Sequence, residues 1–395
     1  MLGSLLAMAA VLLGGAAAQP DRVTDLVVDA QYTTVPVSEY RSGGPPPNGI
    51  PPLGFKADAL GLPDTRPARF ERVTASRRWL QPREPVILVT VNGETGIFPL
   101  QVLIWHEVAN VTLGGVPVAV TFCPLCNTAL VVDRRVPVKA EHAARLKDAG
   151  NVTNGRLLVT FGVSGLLYKS DLVMFDSATH SLWYQAIGRA LTGTLAGTQL
   201  RVYPSFIVPF DEAAREAPAA RVRSRNTGYT RDYGRNPSVG YDDANELPFL
   251  SSAPLDGRLM PKERVVTVSV GDTHAAYPFS VLARVGVVND RVANLPLVVF
   301  WANGTTSALG AAQIGKARDV GAGVMFNRRL NGRSLTFRAV NGAFRDRETG
   351  STWSLTGRAT HGALKGAVLK PVTHANHFWF AWAAYVPPTR VYAPR

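Results

Sequence analysis

Cysteine is almost missing from this sequence: its 395 residues contain two, Cys123 and Cys126. That excludes a disulfide-built scaffold and a four-cysteine metal site within one chain. Acidic residues are also in short supply, 29 against 42 Lys and Arg, which leaves a net charge of +13. Beyond the first twenty residues no apolar run approaches the length of a membrane-spanning helix. No G-x-S-x-G elbow, P-loop or H-E-x-x-H occurs, so the usual signatures of α/β-hydrolases, phosphate cradles and zinc proteases are lacking.

What is present is ordinary core material. A hydrophobic fraction of 46% is ample for a globular interior, and the length predicts one large domain or two. The positive charge comes mainly from scattered arginine, densest at Arg221, Arg223, Arg225, Arg231 and Arg235. A nucleic-acid reader would gather that charge with aromatic residues on one surface. No nucleic acid is therefore expected; the basic segment reads first as a solvated loop of an Arg-biased chain, with an anionic envelope polymer as the competing partner reading. Residues 1–19 read as a secretory signal: an apolar run over 5–13, then Gly14, Gly15 and three alanines suited to cleavage. No basic residue precedes the run, and the competing reading is an N-terminal membrane anchor, for which the run is short. Export predicts a periplasmic or extracellular protein with no integral membrane segment after cleavage.

Residues 20–82, rich in Pro and Gly, read as an extended arm. From residue 83 the pattern becomes strand after strand. Residues 86–91 lead into Asn92-Gly93, a hairpin signal, and residues 102–111 fit helix or strand. The sequence also resembles itself. Asp176-Ser177-Ala178-Thr179-His180-Ser181-Leu182-Trp183 matches Asp346-Arg347-Glu348-Thr349-Gly350-Ser351-Thr352-Trp353, and similar tails follow each Trp. This predicts a mainly β (β-rich α+β) protein of internally duplicated β-sheet or barrel-like units, each about 120 residues long. The first unit covers 83–204 and the second 261–387. A basic linker, 205–260, joins them, and 388–395 is a tail. Asp176, Asp346, Trp183 and Trp353 are read as structural, because both copies keep them. Phe378-Trp379-Phe380-Ala381-Trp382 suits a buried terminal strand.

The copies differ where the first has Phe122-Cys123-Pro124-Leu125-Cys126 and the second Phe300-Trp301-Ala302-Asn303-Gly304. The fold does not need the thiols twice, which points to a site belonging to the first unit. β-branched runs flank the Cys-Pro-Leu-Cys stretch, giving strand, knuckle and strand. Three chemistries compete there. Cys123 and Cys126 can exchange disulfides with a redox partner, as catalytic thiols. They can ligate a soft metal, copper or zinc, with His106 as the best placed helper and His180, His374 and His377 behind it. They can also form a local disulfide that stiffens a turn in an oxidising compartment. Ser164, between glycines, fits a bulge better than a nucleophile. Asp171 and Asp176 fit turn capping better than paired acid–base work.

Several stretches together resemble a bacterial family catalogued only as a domain of unknown function, number 3179. They include Trp105-His106-Glu107-Val108-Ala109-Asn110, Val120-Thr121-Phe122-Cys123-Pro124-Leu125-Cys126-Asn127 and Ser170-Asp171-Leu172-Val173-Met174. The resemblance spans roughly residues 42–386 and implies domain extent, with no activity to carry over. The expectation is an exported protein whose Cys123/Cys126 site serves thiol redox chemistry or soft-metal binding, whether or not it is an enzyme. The alternative is a non-catalytic envelope-binding module with a structural disulfide.

Overall fold

The computed structural model describes residues 26–57, 62–146, 152–251 and 254–394. The expected secretory signal at 1–19 lies outside the described residues. The chain is strand-rich with short helices, and no helix among the described residues is long and apolar enough to cross a membrane.

Tight turns explain much of the local structure. Asn92 and Gly93 both take positive φ (46° and 83°), as do Asn341 and Gly342 (50° and 75°). That is the backbone a two-residue hairpin turn needs to match strand twist. Residues 102–111 divide between two elements: helix Leu100–Leu103 ends, and strand Val108–Leu113 begins.

The same order of strands recurs in the two halves. In the first half, Ser205–Pro209, Pro85–Val91, Glu94–Pro99 and Arg221–Arg223 lie side by side, the last pair parallel, with Phe70–Arg72 at the edge. In the second half the order is Ala375–Phe378, Arg264–Val270, Thr273–Pro278 and Arg390–Val391, again with the last pair parallel. A second sheet runs Val202–Tyr203, Thr128–Asp133, Val116–Cys123, Val108–Leu113. Its counterpart runs Lys370–Pro371, Ala322–Asn327, Leu295–Ala302, Val287–Val292. A third contains the hairpin Phe161–Tyr168/Asp171–Asp176, with Tyr40–Ser42 at its edge, and its counterpart begins with Phe337–Val340/Ala343–Asp346. Asn110 clamps both backbone groups of Phe161, and Asn289 does the same to Phe337. Strands Ser205–Pro209 and Arg221–Arg223, expected to fall in the linker, thus complete a first-half sheet.

The halves share their interior. One apolar cluster joins Val118, Val120, Phe122 and both cysteines to Phe378, Phe380 and Ala381. Another joins Val86 and Leu88 to Phe300, Phe326 and Trp353, and Phe206 packs against Phe326 with ring centres 5.4 Å apart. The aromatic C-terminal stretch is a correction to the expected strand: Ala375–Phe378 is a strand, but Trp379–Tyr385 is a helix. It is buried nearly all round, and a helix buried on every side leaves no amphipathic period to read.

The N-terminal arm is laid along the first half. Strand Tyr40–Ser42 pairs with Phe161–Tyr168, Phe55 is fully buried, and Asn48 accepts the N–H of Val163 at 3.1 Å.

Candidate thiol–carboxylate site

Val116–Cys123 and Thr128–Asp133 form the expected strand–knuckle–strand, with Cys123 opposite Thr128. Asn127 closes the turn with a positive φ of 52°. The knuckle is fixed from two sides. The carbonyl of Cys126 accepts the N–H of Phe378 at 2.8 Å and the hydroxyl of Thr128 at 3.2 Å. The thiol of Cys126 donates to the carbonyl of Ser170 at 3.1 Å. Both cysteines are free thiols and buried.

A third group completes the cluster. Asp171 follows a turn in which Lys169 and Ser170 both take positive φ (50° and 64°) without being glycine. These are the two loop residues of the Phe161–Tyr168/Asp171–Asp176 hairpin, and positive φ at both is the backbone that such a turn needs. The turn delivers the Asp171 carboxylate to the sulfurs: the ligating atoms of Cys123, Cys126 and Asp171 lie within 4.8 Å of one another, all buried. One Asp171 oxygen accepts the N–H of Ala186 at 2.7 Å. The other, Oδ1, is buried without a partner, as are the hydroxyls of Ser170 and Tyr184 nearby.

A fourth acid stands beside them. Glu107 also has positive φ, 58°, and its carboxyl is pushed up to about 8, first by burial and then by the charge of Asp171. Burial raises Asp171 to about 6 against the pull of thiol and backbone donors. It raises the Cys123 thiol to about 11 and the Cys126 thiol well above its ordinary value. Tyr184 is raised as well, by burial and by these acids. No Lys or Arg forms an ion pair with any of the four acids among the described residues. At neutral pH the two thiols and Glu107 therefore keep their protons, and ionising the thiols calls for a cation from outside the chain.

His106 is not brought into the group. Its Nδ1 faces the carbonyl of Pro51 and its Nε2 the hydroxyl of Tyr233, each at 2.7 Å. A carbonyl only accepts, so Nδ1 carries the proton and Nε2 accepts from Tyr233. The ring thereby ties the arm to the Arg-rich segment. His374 bonds the Val372 carbonyl, His377 bonds Thr128, and the Val27 N–H meets His180. Ser164 sits at a bulge, donating to the Val173 carbonyl. Asp176 caps its turn and receives the Trp183 indole N–H at 2.9 Å, as Asp346 does for Trp353. The sequence did not single out Glu107 as a site residue, and it placed Asp171 elsewhere. Their presence beside the thiols in the family-like stretches was the available signal.

No curated protein and no solved structure matches the chain. Residues 59–389 match the family described as Protein of unknown function (DUF3179), and the chain belongs to that family.

Proposed function

We propose that this chain binds one thiophilic metal ion through Cys123, Cys126 and Asp171. The observation that carries the reading is the buried convergence of two thiols and a carboxylate, within 4.8 Å, with one carboxylate oxygen unpartnered. A bound divalent cation would neutralise the Asp171 carboxylate and two thiolates, the latter a charge state that burial otherwise disfavours. The carboxylate shifts the preference from copper(I), which suits thiolates alone, toward zinc. Three protein ligands leave a fourth position open, the pattern of catalytic more than structural zinc. Glu107, close enough for its charge to act on Asp171 and Cys123, keeps its proton at neutral pH. The raised thiols weigh against disulfide exchange, which needs an accessible thiolate. With residues 1–19 as an export signal, the site would load outside the cytoplasm.

Metal analysis of anaerobically purified protein tests this, with a thiol count on the same sample. The expected result is one ion per chain and two free thiols. Cys123→Ser/Cys126→Ser should lose the ion while keeping the far-ultraviolet spectrum of the fold. Asp171→Asn should weaken retention, and His106→Gln should leave it intact. A metal-free protein with an intramolecular disulfide overturns the reading.

A further inference from the structure

The two corresponding hairpins present the same face to different surroundings. In each, an inward Phe packs edge-on against the Trp that follows: Phe161 on Trp183, and Phe337 on Trp353. The opposite face of the first hairpin is apolar and covered. There Gly162 pairs with Phe175, the Phe175 ring lies 5.4 Å from Phe55 of the arm, and Lys56 donates its N–H to Thr160 at 3.1 Å. A Cβ on Gly162 would strike Phe175 and Asn48, so peptide lies directly on this face.

In the second hairpin the equivalent positions are Arg338 and Arg345, directly opposite each other. Arg347, two residues on, joins the same side. All three are exposed. None forms an ion pair among the described residues, and Arg345 only donates Nε–H to the Gly350 carbonyl. Like charges directly opposite destabilise a hairpin unless an anion lies between them. Here they line an open cleft of about 410 Å³ with Thr336 and Gly350. One acid, Asp346, shares that lining, with its carboxylate engaged by the Thr349 hydroxyl and the Trp353 indole N–H, and the neighbouring Glu348 is held by the N–H of Thr336 at 2.8 Å.

We infer that the Arg338/Arg345/Arg347 face of the second hairpin is a docking site for an extended acidic peptide segment of a partner protein. The peptide class follows from the first hairpin, where a stretch of extended chain occupies the same face. The acidic character follows from guanidinium groups whose planar forks match carboxylates two at a time. This inference does not depend on the thiol–carboxylate site.

The test uses the full chain and a fluorescently labelled deca-glutamate peptide, read by anisotropy at low and at physiological salt. Binding is expected to weaken at least tenfold in Arg338→Ser/Arg345→Ser. It should persist in Arg72→Ser/Arg78→Ser, a control that removes the same charge from an exposed first-half surface. Equal weakening in both variants reduces the effect to overall charge and overturns the inference, as does absence of binding. Inorganic polyphosphate is the second probe. If it binds at Arg338 and Arg345 more tightly than the peptide, the face belongs to a phosphate polymer and the peptide assignment falls.

Discussion

Phe378 donates its backbone N–H to the carbonyl of Cys126 across 2.8 Å, joining the last strand of the second half to the knuckle of the first. Phe378, Cys123 and Cys126 lie in one apolar cluster. The site is therefore a property of both halves together, although its sulfurs come from one short stretch.

The thiols of the metal-free protein should be inert. Cys123 and Cys126 are 1% and 0% exposed, and burial lifts the Cys123 thiol to about 11. At pH 8 the thiolate fraction is then about one in a thousand. An aromatic disulfide reagent should react with neither thiol in native protein and with both in denaturant. Fast reaction of either in the native state contradicts this burial.

Metal uptake should release protons. Both thiols are protonated at neutral pH, and a metal ligates only the thiolate. About two protons should leave per ion, so apparent affinity should rise about 100-fold per pH unit near pH 7. Calorimetry in buffers of different ionisation enthalpy measures this directly. Affinity independent of pH would remove the thiols from the ligand set.

Three buried histidines should make the fold sensitive to acid. Burial holds His106 and His374 down to about 4 and His377 down to about 3. The unfolded chain protonates them near 6.5, so between that pH and about 4 it binds protons that the folded chain refuses. Their contribution to stability is full above 6.5 and declines as pH falls, by up to about 1.4 kcal/mol per pH unit for each His. His377→Asn should flatten the fall in urea midpoint between pH 7 and pH 5. Asp171 and Glu107, raised by burial, act in the opposite direction in both proteins, so the difference isolates the imidazole.

The arm should be released by one added methyl group. Gly165 has φ of 79°, and a Cβ there would collide with the Pro45 carbonyl. Gly165→Ala should cost about 1–2 kcal/mol through backbone strain alone. It should also speed proteolysis around residues 43–56. Unchanged cleavage would show that the arm is held elsewhere.

The knuckle was readable from the sequence because its causes are local. β-branched runs favour strand, Pro124 presets a turn, and Asn127 tolerates positive φ. The paired Asp and Trp of each half were readable for the same reason: turn and anchor lie within seven residues, and their hydrogen bonds recur at 2.9 Å in both halves. The C-terminal aromatics were not, because continuous burial erases the periodicity that separates helix from strand.

His106 and Glu107 show where local reading stops. They are neighbours just before the knuckle, yet the positive φ at Glu107 sends one side chain to Pro51 and Tyr233 and sets the other against Asp171. The sequence by itself determined the strands, the turns and the place of the two sulfurs, since each follows from residues a few positions apart. Only the tertiary structure decided that Asp171 and Glu107, from a separate hairpin and a separate turn, would stand beside those sulfurs. Strand register and burial set that convergence, and both arise from packing between distant segments.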